Sequence, residues 1–151
     1  MVIRPYVPAD WPQLCAIHDA ARQQELQASG LLDAFLTLEQ TAHNEGLFDG
    51  TVLVAERSGR VLGFVAFQDC ELTWLYVDPA AQRRGVGRAL VRAAVQASRM
   101  PLELDVLLGN DAALALYLAE GFQVVRRADG RLVGNEAFAA SGFVLRHGGG
   151  A

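Results

Sequence analysis

The stretch Gln82-Arg83-Arg84-Gly85-Val86-Gly87-Arg88-Ala89-Leu90 sets two glycines among three arginines. It follows an apolar run ending at Val77-Asp78-Pro79 and precedes an amphipathic run from Arg88 to Ser98, so a strand feeds a glycine-bearing loop that opens a helix. Such an element gathers free backbone N–H groups and the positive end of a helix dipole around one point. The chemistry this implies is phosphate binding. The other reactive residue types are sparse. Cys15 and Cys70 form neither a CxxC pair nor a metal-ligand pattern and read as reduced, mostly buried thiols. His18 and His43 read as core or surface histidines rather than bases.

The bulk of the chain bounds what that loop can serve. At 151 residues the size prior is one domain, taken here as residues 1–147, with 148–151 a flexible tail. Hydrophobic content of 52% and charged content of 20% describe an ordinary globular protein. A net charge of −4 offers no basic excess to neutralise a nucleic acid, so none is expected as partner. The N-terminus carries Arg4, Pro5 and Asp10 instead of an apolar leader, and no window approaches the roughly 18 apolar residues of a membrane span. The expected location is cytoplasmic, away from membranes. All 13 basic residues are arginine; there is no lysine.

The elements that must position the loop follow from periodicity and turn residues. Val2 to Pro5 is a short strand, and Asp10 with Gln13 and Pro12 marks a helix start, burying Leu14, Ile17 and Ala21 and reaching about Gln27. Leu31 to Ala42 is a second helical segment. Thr51 to Arg57 and Arg60 to Gln68 flank the hairpin signal Ser58-Gly59, and Glu71 to Val77 is the next strand. The helix after the glycines presents Leu90, Val91, Ala94 and Val95 on one side. Leu102 to Leu107 is a strand, and Asn110 caps a helix running to Glu120, stopped by Gly121. Phe122 to Arg127 is a strand, Ala128-Asp129-Gly130 a turn, and Gly142 to Arg146 the last strand. The order βααβββαβαββ predicts an α/β fold with one central mixed sheet and helices on both faces.

Three kinds of phosphate loop compete. A P-loop needs a lysine to reach the β/γ-phosphates, and this chain has none. A dinucleotide loop needs a small residue where Leu90 stands, and seven residues, Asp78 to Arg84, separate the strand from the first glycine. The third fits. Val77-Asp78-Pro79, then Gln82-Arg83-Arg84-Gly85-Val86-Gly87-Arg88-Ala89-Leu90, resembles the acetyl-CoA motif of the Gcn5-related N-acetyltransferase (GNAT) superfamily, Gln/Arg-x-x-Gly-x-Gly/Ala. Downstream, Gly109-Asn110-Asp111, Leu116-Tyr117 and Glu120-Gly121-Phe122 resemble the second cofactor motif of that family.

The resemblance implies the GNAT acyl-CoA N-acyltransferase fold and acetyl transfer from acetyl-CoA to a primary amine. It places the pyrophosphate on N–H groups from Arg83 to Arg88, with Gly85 and Gly87 allowing close approach, Gln82 and Val86 within the same motif, and Arg84 available for charge pairing. Arg83, Arg84 and Arg88 either pair with phosphates or are solvated. Backbone groups of Leu75, Tyr76 and Val77 would pair with the pantetheine arm, one N–H polarising the thioester carbonyl. Asn110 either bonds the pantetheine amides, caps its helix, or does both. Tyr117 takes the position of the general acid, since a phenol near pKa 10 can protonate a thiolate, whose conjugate thiol has an ordinary pKa of about 8.5.

The acceptor side is less determined. An alkylammonium of pKa about 10.4 is under about 0.1% neutral at pH 7 and must lose a proton before attack. Glu71, Asp105 or a water they hold are the candidate bases; Asp105 matches an acidic position that is usually Glu in the ribosomal-protein branch. The N-terminal helices and the loop before the last strand would build the acceptor site. There Leu31, Phe35, Leu47, Phe48 and Phe138 would form an apolar wall, with Asp33, Glu39 and Glu45 available for a cation. No metal is expected, because the thioester is already activated. Partners are a small-molecule or peptide amine, with a homodimer left open. The rival reading is a non-catalytic acyl-CoA sensor on the same fold.

Overall fold

The computed structural model describes residues 1–148. The chain runs β1 (Val2–Pro5), α1 (Trp11–Ala28), α2 (Leu38–Thr41), β2 (Thr51–Arg57), β3 (Arg60–Gln68), β4 (Glu71–Val77), α3 (Val86–Ala97), β5 (Glu103–Leu107), α4 (Asp111–Ala119), β6 (Phe122–Arg131) and β7 (Ala139–His147). The seven strands make one mixed sheet in the order β1-β2-β3-β4-β5-β7-β6, the α/β architecture expected from the element order. Successive strand side chains point to opposite faces. Here both faces are covered. Val54, Phe64 and Ala66 pack with Leu14, Ile17, Leu38 and Ala42 beneath α1 and α2. Ala55, Val65 and Phe67 pack with Val86, Leu90, Val91 and Ala94 of α3.

One junction in the sheet differs from the rest. The β4–β5 pair is parallel and meets only where Glu71 stands opposite Glu103, supported by the Glu103 N–H donating to the Cys70 carbonyl at 2.7 Å. On its other edge β4 pairs antiparallel with β3 from Glu71 to Val77. All five residues of β5 pair with β7 on their outer side. Each strand therefore follows its own neighbour, and beyond Glu71 the two separate. From Leu72 to Val77 the inner edge of β4 has no strand partner among the described residues.

Several local expectations are corrected. The helix start marked by Asp10 and Pro12 falls at Trp11 as expected, yet without a side-chain cap: the Asp10 carboxylate accepts from Arg4 and from the Val7 N–H, and the Gln13 side chain from the Val61 N–H at 2.9 Å. The segment Leu31 to Ala42 is not one helix. A 3-10 turn at Leu32–Ala34 gives way to extended Phe35, and α2 starts only where Thr37 and Gln40 form a reciprocal cap. The Leu38 N–H is taken by Asp19 of α1, which fixes that restart. Ala128-Asp129-Gly130 is not a turn, because β7 pairs with β6 out to Arg131 opposite Ala139. The reversal comes later, where Leu132 and Phe138 bond across it. Cys70 is exposed at the β3–β4 turn, not buried, whereas Cys15 is half-buried. Of the expected tail, Gly148 donates to the Gly121 carbonyl at 3.3 Å, and residues 149–151 lie outside the described residues.

Leu90 lies fully enclosed between α3 and the sheet. Leu90→Ala should lower the unfolding free energy by about 2–5 kcal/mol, read as a reduced urea midpoint at unchanged slope.

Candidate active site

The gap between β4 and β5 widens into a cavity of about 600 Å³. Its walls come from β4, β5, α1, Tyr117 of α4, and the residues around the β6–β7 reversal. Tyr117, Glu71 and Asp105, far apart in sequence, all line this one cavity. Leu75 and Tyr76 line it too. Val77, the Gln82–Arg88 loop and Asn110 are not among the lining residues; they lie at and beyond the open end of β4.

At that end lies the loop that opens α3. Gly85 adopts φ +81°, a left-handed conformation that turns the loop into α3, and Arg83 adopts φ +64°. No side chain caps α3, unlike α2, capped by Thr37, and α4, capped by Asn110. The first-turn N–H groups of α3 thus remain available to an anion. Gly87 also has a packing role within the fold. A Cβ there would lie 3.2 Å from Leu116 Cδ2 and 3.7 Å from Val77 Cγ2, so the missing side chain lets α3 close on α4 and β4. Gln82 donates its amide to Gln24 of α1 at 3.2 Å and to the Val77 carbonyl at 3.4 Å. Arg88 is not free: it pairs with Glu120 at 3.3 Å, which Arg92 also binds at 2.6 Å. Arg83 and Arg84 are exposed. Arg84 borders a second hollow of about 330 Å³ shared with Arg57 and Arg60.

The acceptor-side expectations divide. Glu45 lines the cavity. Leu31, Phe35 and Phe138 pack on Leu26, Ala34 and Leu132 as a small core beside it. Leu47 is buried in the main core instead, and Phe48 stacks on Tyr6 and Trp11 at the surface. Asp33 and Glu39 do not line the cavity.

One polar group of residues was not anticipated. His18, Arg22 and Glu25 line the cavity from α1. Their spacing of four and three residues puts them on one helix face, and that stripe was the available signal. Tyr76 was expected to act through its backbone, but its ring packs edge-on against His18 at 4.8 Å and its hydroxyl donates to Glu25 Oε1 at 3.2 Å. Glu25 also pairs with Arg22 and accepts from Asn110 Nδ2 at 3.1 Å. Asn110 Oδ1 meanwhile accepts from the Ala113 N–H at 3.4 Å.

Burial governs the electrostatics. Withdrawal from water, followed by the Glu25 charge, pushes the Tyr117 hydroxyl far above its ordinary pKa, so it stays protonated. Partial withdrawal, and then the neighbouring Glu103 carboxylate, raises Asp105, with Arg126 opposing. Asp105 is solvent-exposed among the residues that line the cavity, so water screens part of this effect. Burial lowers His18 more than its Asp19 partner raises it.

Residues 48–124 match the family described as the acetyltransferase (GNAT) domain, and the chain belongs to that family. It is 39% identical over 99 residues to the N-alpha-acetyltransferase RimI of Mycobacterium tuberculosis, spanning 64% of this chain and 63% of that protein. Its fold is similar to the ribosomal-protein-alanine N-acetyltransferase of Brucella melitensis, with TM-score 0.75, 26% identity, and coverage of 97% of this chain and 98% of that one. It also resembles the fold of YncA from Salmonella typhimurium, solved with its cofactor acetyl-CoA: TM-score 0.70, 22% identity, 96% and 92% of the two chains.

The depressed His18 pKa has a definite sign in folding. Below its ordinary value of 6.5 the unfolded chain binds the proton first, so the contribution of His18 is fully present above about pH 6.5. It is lost as pH falls from there through the lower folded value. Denaturant melts from pH 7.5 to 5 should show falling stability, and His18→Gln should flatten that slope.

Proposed function

We propose that this chain transfers an acetyl group from acetyl-CoA to a primary amine of a peptide or small molecule. The observation that carries this reading is the unpartnered inner edge of β4 facing a cavity walled by Tyr117. An open strand edge offers N–H and C=O groups at the spacing of a missing strand, which an amide-bearing arm can satisfy. The residues present suit acetyl-CoA at each part of its length. The uncapped start of α3 suits a pyrophosphate, the Asn110 amide at the open end of β4 suits an amide of the arm, and the β4 edge suits the pantetheine amides. When bound, the donor would supply an activated acyl group in the cavity.

The chain's own groups then have separable tasks. A β4 N–H directed into the gap stabilises the negative charge that develops on the thioester oxygen. Tyr117, kept in its phenol form by burial, donates a hydrogen bond to the departing sulfur and is the general acid for it as the acceptor side takes up charge. The acceptor ammonium must first be deprotonated. Asp105 is the better base of the two carboxylates, because its raised pKa strengthens its hold on a proton, whereas Glu71 stands at the closed end where β4 meets β5. A peptide amine is favoured, since the mycobacterial relative is named for N-alpha-acetylation and the Brucella protein for a ribosomal-protein alanine. Acidic lining by Glu25, Glu45, Glu71, Asp105 and Asp129 suits the approach of a cationic amine.

Two measurements test the assignment. Tyr117→Phe should reduce turnover by about a hundredfold while leaving the KM for acetyl-CoA nearly unchanged, read as release of free CoA thiol. Unchanged turnover would remove Tyr117 from the chemistry. Acetyl-CoA binding with no thiol release across a panel of peptide and small amines would favour the sensor instead. In the pH profile of kcat/KM, activity should fall on the acid side as Asp105 takes up a proton, at a pH above the ordinary carboxylate range. Asp105→Asn should abolish that limb, and Glu71→Gln should leave it in place.

A further inference from the structure

Glu25 stands where α1, β4 and α4 meet. Its Oε1 accepts from the Tyr76 hydroxyl at 3.2 Å and faces the Arg22 guanidinium, and its Oε2 accepts from Asn110 Nδ2 at 3.1 Å. These contacts join residues 51 and 85 positions away to the end of α1. With three donors around it, the carboxylate is well satisfied and is a poor candidate for a base.

The consequence falls on Asn110. Its Oδ1 is committed to the Ala113 N–H at the start of α4, and its Nδ2 to Glu25. Turning the amide over would set Nδ2 against the Ala113 donor and Oδ1 against the Glu25 carboxylate, two contacts of like polarity. The orientation is therefore fixed from both sides. An amide nitrogen carries two hydrogens, and Glu25 uses one. The other is left for an acceptor outside this group.

We propose that Glu25 is a positioning residue of the transfer site: it holds the Asn110 amide so that an N–H, rather than a carbonyl, meets the pantetheine carbonyl of the donor. This rests on the reading that the chain binds acetyl-CoA through Asn110. The end of α1, which borders the acceptor side, is thereby tied to donor recognition. Arg22 and Tyr76 complete the arrangement. Arg22 balances the charge of the carboxylate, and Tyr76 anchors its Oε1 so that Oε2 faces α4.

The test uses CoA binding by calorimetry without any amine, KM and kcat for acetyl-CoA, and thermal melts. In Glu25→Gln the new carbonyl stays with Arg22 and Tyr76, which turns its NH2 against Asn110 Nδ2 and forces the Asn110 amide over. CoA affinity measured without amine should weaken and the KM for acetyl-CoA rise, each by about tenfold. The paired variant Glu25→Gln with Asn110→Asp reverses the hydrogen bond, conserves net charge and keeps an oxygen on the Ala113 N–H. Its Tm should return to that of the unaltered protein, while CoA affinity stays weak because position 110 now offers only acceptors. Recovery of both Tm and CoA affinity in the paired variant would mean a purely structural role and overturn the proposal. So would unchanged CoA affinity in Glu25→Gln where Asn110→Ala loses it. Failure of the unaltered protein to bind CoA overturns the donor reading as well, which separates the two.

Discussion

Two parallel strands that touch at one position govern this molecule. Among the described residues, Glu71 and Glu103 are the only ones paired between β4 and β5. A closed junction would have consumed the backbone groups along Leu72 to Val77 and left no space between the strands. An open one leaves those of Leu72 to Tyr76 facing a cavity, where a polar backbone group that is cut off from water must find a partner or cost about 1–3 kcal/mol. The gap survives because each strand is secured from outside. β3 holds β4 along its length and β7 holds every residue of β5. The antiparallel pairs on either side thus keep the two strands apart without anything wedged between them.

The helices distribute their work around that gap. On one face α3 buries Leu90, Val91 and Ala94 against the sheet and leaves the N–H groups of its first turn uncapped. On the other, α1 buries Leu14 and Ile17 and turns the His18, Arg22 and Glu25 stripe toward the cavity. Tyr117 meets both sets: its ring packs on Phe122 at 5.5 Å within the apolar core, and its hydroxyl senses the charge of Glu25. A buried polar cluster with its members satisfied rigidifies its surroundings, and the low local dielectric strengthens each contact.

The elements with strong periodicity or a strong turn signal are legible from the residues alone. The Ser58-Gly59 hairpin, the amphipathic α3 and the Asn110 cap are local features, encoded within a few positions. Leu31 to Ala42 reads as one helix in sequence because its break depends on Asp19, on a different helix, taking the Leu38 N–H. The full length of β6 is hidden because β7, later in the chain, extends the ladder past a sequence that looks like a turn. The candidate site divides in the same way. Tyr117, Glu71 and Asp105 follow from motif and strand position, and the three converge on one cavity. Glu25 carries a visible helical spacing, but its meaning depends on Tyr76 and Asn110 arriving from remote segments. Leu47 and Phe48 are apolar residues with no signal to separate a core position from a cavity wall.

The close contact at Gly87 also joins two motifs. The β4–α3 loop and the Asn110 end of α4 belong to different motifs, and their helices meet where α3 lies on Leu116. With hydrogen in place of a methyl group, the Leu116 side chain can lie directly against the α3 backbone. Gly87 therefore behaves as a spacer of zero thickness. A glycine that reads in sequence as a contact to phosphate thus also governs how closely α3 lies on α4 and β4.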